Sequence, residues 1–114
     1  MTVDMRSFLQ QIKKTNDLFT VKKGVSTKYE IAAVTEKLDE SKAALFENVK
    51  GSKFKLVSNL VGSRDRFAQA IGSKKSDINQ KIVKAISSAK KPRISSTAKF
   101  FENSSKDISI LPIV

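Results

Sequence analysis

Two apolar-rich runs, residues 44–49 (ALFENV) and 54–61 (FKLVSNLV), are separated only by Lys50-Gly51-Ser52-Lys53. Four residues with a glycine among them leave no room for a helix, so the runs read as two strands joined by a tight turn. Everything else in the chain then has to cover that pair.

Upstream, Met5, Phe8, Leu9 and Ile12 recur at helical spacing behind Asp4, a suitable N-cap, which predicts a short amphipathic helix. Phe19 and Val21 alternate with Thr20 and Lys22 ahead of Gly24, as in a half-buried strand. Thr27 with Glu30 three positions later reads as a capping box, and Ile31, Val34 and Leu38 extend a second helix over roughly residues 27–40. Downstream, Gly62 or Ser63 starts a third helix with Asp65 in its first turn, and Gly72 ends it. Asp77 opens a fourth helix in which Ile78, Ile82, Val83 and Ile86 form one stripe, with Pro92 just past its end. The expected fold is therefore α/β (α+β), a small, mainly antiparallel sheet with about four flanking helices. Residues 1–91 form this domain, and residues 92–114 form a connecting arm and an apolar tail, ISILPIV.

With no cysteine and no histidine in 114 residues, thiolate nucleophiles, imidazole bases and zinc sites built on either are excluded. The net charge of +11 is uneven: residues 1–40 hold seven bases and six acids, and residues 41–75 hold eight bases and two acids. A basic surface of this kind attracts nucleic acid or other polyanions without specifying one, and it is also common on ordinary soluble domains. No secretory signal can be drawn over the first twenty residues, and no apolar run approaches the ~18 residues that span a bilayer. A cytoplasmic location with no membrane partner is expected.

Three glycine-serine-base triplets, at Gly51, Gly62 and Gly72, raise the question of phosphate binding. None has Walker A spacing, and G-x-G-x-x-G is missing as well. The remaining candidates for an anion contact are Gly62, Ser63, Arg64 and Arg66, where a strand runs directly into a helix N-terminus. The same residues read equally as a turn, with Gly62 giving backbone freedom and Ser63 capping the helix. Glu30 reads as a capping partner, Glu47 has no second carboxylate nearby, and the seven phenylalanines sit at core spacing without the pattern that stacks RNA bases. No catalytic, cofactor-binding or metal-binding residue emerges.

The order of the motifs carries more than their chemistry. Asp4-Met5-Arg6-Ser7-Phe8-Leu9, Glu30-Ile31-Ala32-Ala33, Leu45-Phe46-Glu47-Asn48-Val49-Lys50-Gly51, Ser58-Asn59-Leu60-Val61-Gly62-Ser63-Arg64, Ala70-Ile71-Gly72 and Leu111-Pro112 together resemble the start of the UbiD-like decarboxylases. That family uses prenylated FMN and a divalent metal, manganese, to remove or add carbon dioxide on unsaturated or aromatic acids. The resemblance implies a non-catalytic N-terminal domain, present as a fragment or a separate small subunit. Its partner would be the remaining domains or a separate catalytic chain, and self-association is possible. The cofactor and the catalytic glutamate and arginine belong to a split barrel that the resemblance places beyond this chain. The alternative reading is a free-standing basic module that binds nucleic acid or another polyanion.

Overall fold

The computed structural model describes residues 4–39 and 41–114. The first helix, α1 (Met5–Lys14), begins at Asp4 in a reciprocal capping box. The Ser7 N–H donates to Asp4 Oδ1 at 2.8 Å, and the Asp4 N–H donates to Ser7 Oγ at 3.1 Å. Phe8 and Ile12 turn inward, and Lys13 and Lys14 lie in the last turn, where cations complement the helix dipole.

Strand β1 (Leu18–Val21) leads through a loop into α2 (Glu30–Leu38) and then into β2 (Ala43–Phe46). Strands β1 and β2 pair in parallel, Leu18 opposite Ala43 and Val21 opposite Phe46, so α2 is the crossover of a βαβ unit. Strand β3 (Leu56–Ser58) pairs antiparallel with β2 on its other side, Phe46 opposite Leu56. The sheet is thus mixed, with β2 in the centre and Ala43, Ala44 and Phe46 fully buried. Alternation along β2 divides the core between the two faces. Ala44 and Phe46 pack with Val25, Ile31 and Val49 under α2, while Ala43 packs with Phe8 and Ile12 under α1.

The expected pairing of the two apolar runs is present, but the connection between them is longer than four residues. Residues 47–50 leave β3 and continue beside the β1–α2 loop: the Glu47 N–H donates to Val21 O, the Val25 N–H to Asn48 O and the Lys50 N–H to Val25 O. Val49 is buried by this detour, which is why the apolar run outlasts the strand. Gly51, at φ +79, sits in the turn that the Ser52 N–H closes on Val49 O.

Helix α2 starts at Glu30 rather than near residue 27, and Thr27 does not cap it. Tyr29 stands at the N-cap without a side-chain cap, and Ser26 holds the preceding loop: its N–H donates to Glu30 Oε2 at 2.5 Å, and its hydroxyl accepts from the Lys28 N–H. The predicted end of this helix at Glu40 lies outside the described residues.

Helix α3 (Arg64–Ala70) is capped by Ser63, whose hydroxyl accepts the Arg66 N–H. It closes in a Schellman arrangement, with the Ser73 N–H on Ala68 O, the Gly72 N–H on Gln69 O, and Gly72 at φ +63. A 3-10 turn leads into α4 (Ile78–Ser87), preceded by Asp77, whose carboxylate accepts from the Ser76 hydroxyl rather than from a helix amide. Of the predicted stripe only Ile78 is buried, and Ile82, Val83 and Ile86 face solvent. Phe19, Phe54, Phe100 and Phe101 are also exposed, so core spacing overstated the aromatic core. The Cα radius of gyration is 16.8 Å, against ~13 Å for a compact chain of this length, because α4 and the arm extend from the body.

Hydrogen bonds from Ser7 hold the Asp4 carboxyl below its ordinary pKa of 3.8. A lowered carboxyl contributes stability that is present above the unfolded value and is lost as pH falls through the folded one. Asp4→Ala should therefore lower the thermal midpoint at pH 7, and the deficit should shrink as pH falls below 3.8 through the lowered folded value. Parallel melts of the two proteins check this, and a deficit that does not shrink with acid would contradict the capping account.

Candidate functional site

The four anion-contact candidates meet at the β3–α3 turn but do not point the same way. Ser63 spends its hydroxyl on the helix cap, and Arg64 is exposed. Arg66 is 2% exposed and turned inward. Its Nε donates to Leu60 O at 3.3 Å, its Nη1 to Ser41 O at 3.1 Å and its Nη2 to Asn59 O at 3.3 Å. The guanidinium thus clamps the α2–β2 loop to the β3–α3 loop, a role that main-chain carbonyls can fill and an external anion cannot.

Asn59 completes the clamp. It adopts φ +55, which turns the chain out of β3, and its side-chain amide donates to Asp39 O and, at 2.9 Å, to Lys42 O. Gly62 is needed at this point for space: a Cβ there would lie 1.6 Å from Asn59 Oδ1. The Asn-x-x-Gly-Ser-x-x-Arg spacing is therefore the signature of a loop clamp. Sequence reasoning missed Asn59, although its place beside Gly62 in the run that carries the resemblance was the available signal.

The other two triplets lie apart from this turn. The groove beside Gly72 is lined by Lys74, Lys81 and Lys84, with Lys81 Nζ donating to Gly72 O at 2.7 Å. Residues 111–114 fold back over β3 instead of extending away. Leu111, Pro112 and Ile113 lie along a groove formed by Met5, Leu9, Leu45 and Val57, and Val114 reaches a second groove formed by Ile31, Thr35, Leu56 and Ser58. The Ser52 hydroxyl donates to Ile110 O at 3.3 Å.

Among the described residues no three of Asp and Glu come together as a metal cage.

Arg66→Ala would take the guanidinium donor from the carbonyls of Ser41 and Leu60, each costing about 1–3 kcal/mol if it stays dry, while Asn59 O keeps the Gly62 N–H. We expect a loss on the order of 3 kcal/mol or more by urea denaturation, and a loss below ~1 kcal/mol would show that the clamp is not structural. Gly62→Ala should be strongly destabilising in the natural background and nearly neutral in an Asn59→Ala background, because the clash requires the Asn59 side chain. Additive losses in that cycle would refute the spacing argument.

Comparison with known proteins gives the family of this body. Residues 9–86, from within α1 to within α4, match the family described as the 3-octaprenyl-4-hydroxybenzoate carboxy-lyase N-terminal domain, UbiD. No curated protein matches the chain. Among solved structures, the UbiD-class enzyme HmfF from Pelotomaculum thermopropionicum, in complex with prFMN or FMN, is similar at TM-score 0.70 and 31% identity, over 73% of this chain and 19% of that one. Vanillic acid decarboxylase from Sedimentibacter hydroxybenzoicus, in its open form, is similar at TM-score 0.58 and 32% identity, over 63% of this chain and 16% of that one. The chain thus spans about a fifth of the length of these relatives. The match over residues 9–86, together with the α/β body it covers, makes the chain a member of the UbiD N-terminal domain family.

Proposed function

We propose that this chain acts as the non-catalytic N-terminal domain of a UbiD-like decarboxylase, as a fragment or a separate subunit, working with a catalytic portion that removes or adds carbon dioxide on unsaturated or aromatic acids. The observation that carries the reading is the family match over residues 9–86, joined to structural relatives of which the chain covers only a fifth. The HmfF structures hold prFMN or FMN. By analogy the catalytic portion working with this chain would hold prenylated FMN and a divalent metal such as manganese. In this reading residues 1–91 are the domain and residues 92–114 the arm and tail, consistent with buried core residues that run from Phe8 to Ile78. Among the described residues no helix is long and apolar enough to cross a membrane. We place the domain in the cytoplasm alongside its catalytic partner.

The protein's contribution in such enzymes is to orient the cofactor and supply proton-transfer groups, while the cofactor carries the electronic step. In this reading the present chain supplies neither. Purified chain mixed with prenylated FMN, manganese and a panel of acrylic and hydroxybenzoic acids should release no carbon dioxide and retain no flavin through gel filtration. Turnover, or stoichiometric flavin retention, would overturn the reading.

The charge of +11 and the exposed lysines around Gly72 also support contact with nucleic acid, which we take to be nonspecific. Binding of any oligonucleotide should weaken steeply as salt rises from 50 to 200 mM, with little sequence preference. Submicromolar affinity for one oligonucleotide at physiological salt would favour a nucleic-acid module instead.

A further inference from the structure

We propose that the two grooves flanking β3 form a single peptide-binding site, which residues 111–114 of this chain occupy as a loosely held, exchangeable ligand. The ligand class is an extended apolar segment of the Leu-Pro-Ile-Val type. The inference goes beyond the decarboxylase reading and does not depend on it.

Three observations support it. First, the segment is poorly seated. An open groove of about 770 Å³ runs beside residues 111–113 along Met5, Leu9 and Val57, and another of about 560 Å³ lies where Val114 meets α2 and β3, so the segment lines these grooves without closing them. Second, the segment is weakly tied. Leu111, Ile113 and Val114 remain 50%, 66% and 61% exposed, and β3 has its ladder with β2 alone rather than with this segment. The link from Ser52 to Ile110 is one exposed hydrogen bond, and the Leu111 and Ile113 amides bond within the segment itself, to Ile108 O and Leu111 O. Third, the other walls of the grooves are built by the body. They belong to α1, α2, β2, β3 and Lys55, which lie within or beside the family match, and among the described residues every buried apolar residue falls between Phe8 and Ile78.

The sequence of the segment suits the site. Pro112 fixes an extended course and has no N–H to leave unpaired, so Leu111 and Ile113 can lie along the groove without forming a strand. Covering an edge strand with a loop is one way of preventing aggregation at its open side. Here the cover is tethered through residues 88–98, a stretch without helix or strand, so it can leave without disturbing the body.

The test uses the full chain with Leu111→Ser and Ile113→Ser, which frees the site, and a fluorescent peptide of residues 106–114 as the probe. The freed variant should bind the peptide saturably and at least tenfold more tightly than the unmodified chain, in which the resident segment competes intramolecularly. Met5→Glu, at a groove residue 61% exposed and so tolerant of change, should weaken that binding at least tenfold. A peptide carrying the same two serines should not bind. The proposal fails if the freed variant keeps a native circular dichroism spectrum and urea midpoint yet does not bind, or if the serine peptide binds equally well. Should the freed variant not fold, hydrogen exchange of the unmodified chain decides: fast exchange at Leu111 and Ile113 is expected, and protection equal to that of Ala44 and Leu45 overturns the proposal. No catalytic portion enters this assay, so its failure leaves the decarboxylase reading untouched, and loss of that reading leaves this one standing.

Discussion

The arrangement depends most on one buried cation. Arg66 reaches from α3 to carbonyls of two loops, Ser41 on the entry to β2 and Asn59 and Leu60 on the exit from β3. A charge taken out of water is costly unless it is well bonded, so the pocket tolerates little displacement of any of these groups. Asn59 holds the same two loops from the other side, and Gly62 gives Asn59 its space. The helix that follows is therefore oriented by a polar clamp more than by the small apolar surface of its seven residues. The Ser58–Arg64 run thus serves a structural clamp in this chain.

The sheet illustrates a second constraint. Local pattern identified β2 and β3 as partners, but β1 joins from the far side in parallel, through α2. Parallel pairing needs a crossover, and α2 supplies one between two short strands. The continuation of residues 47–50 past β3 then lets Val49 close the core against Val25, a contact across 24 positions of sequence that no local turn rule anticipates.

Much of the candidate site was visible in the residues, though its orientation was not. Ser63 as a cap and Gly72 as a terminator were legible because capping and positive φ are local requirements. Whether Arg66 faced water or the interior was not legible, since an arginine at the third helical position serves either end. The stripe of α4 was legible as one apolar side, but not its exposure: periodicity reports which side is apolar, and only a neighbouring element decides whether that side is covered. Where the apolar tail rests was not legible either, and it lies across β3.

The sequence by itself determined the class of the domain, the positions of its four helices, the pairing of its central hairpin and, through the spacing of short motifs, its family. These follow from interactions between residues a few positions apart, which a linear pattern records. Only the tertiary structure decided that Arg66 and Asn59 form a clamp, that β1 pairs in parallel, that α4 stands exposed and that the tail returns to β3. Each of these depends on which distant backbone carbonyls or apolar surfaces come within reach once the chain has closed on itself, and a linear pattern carries no record of that distance.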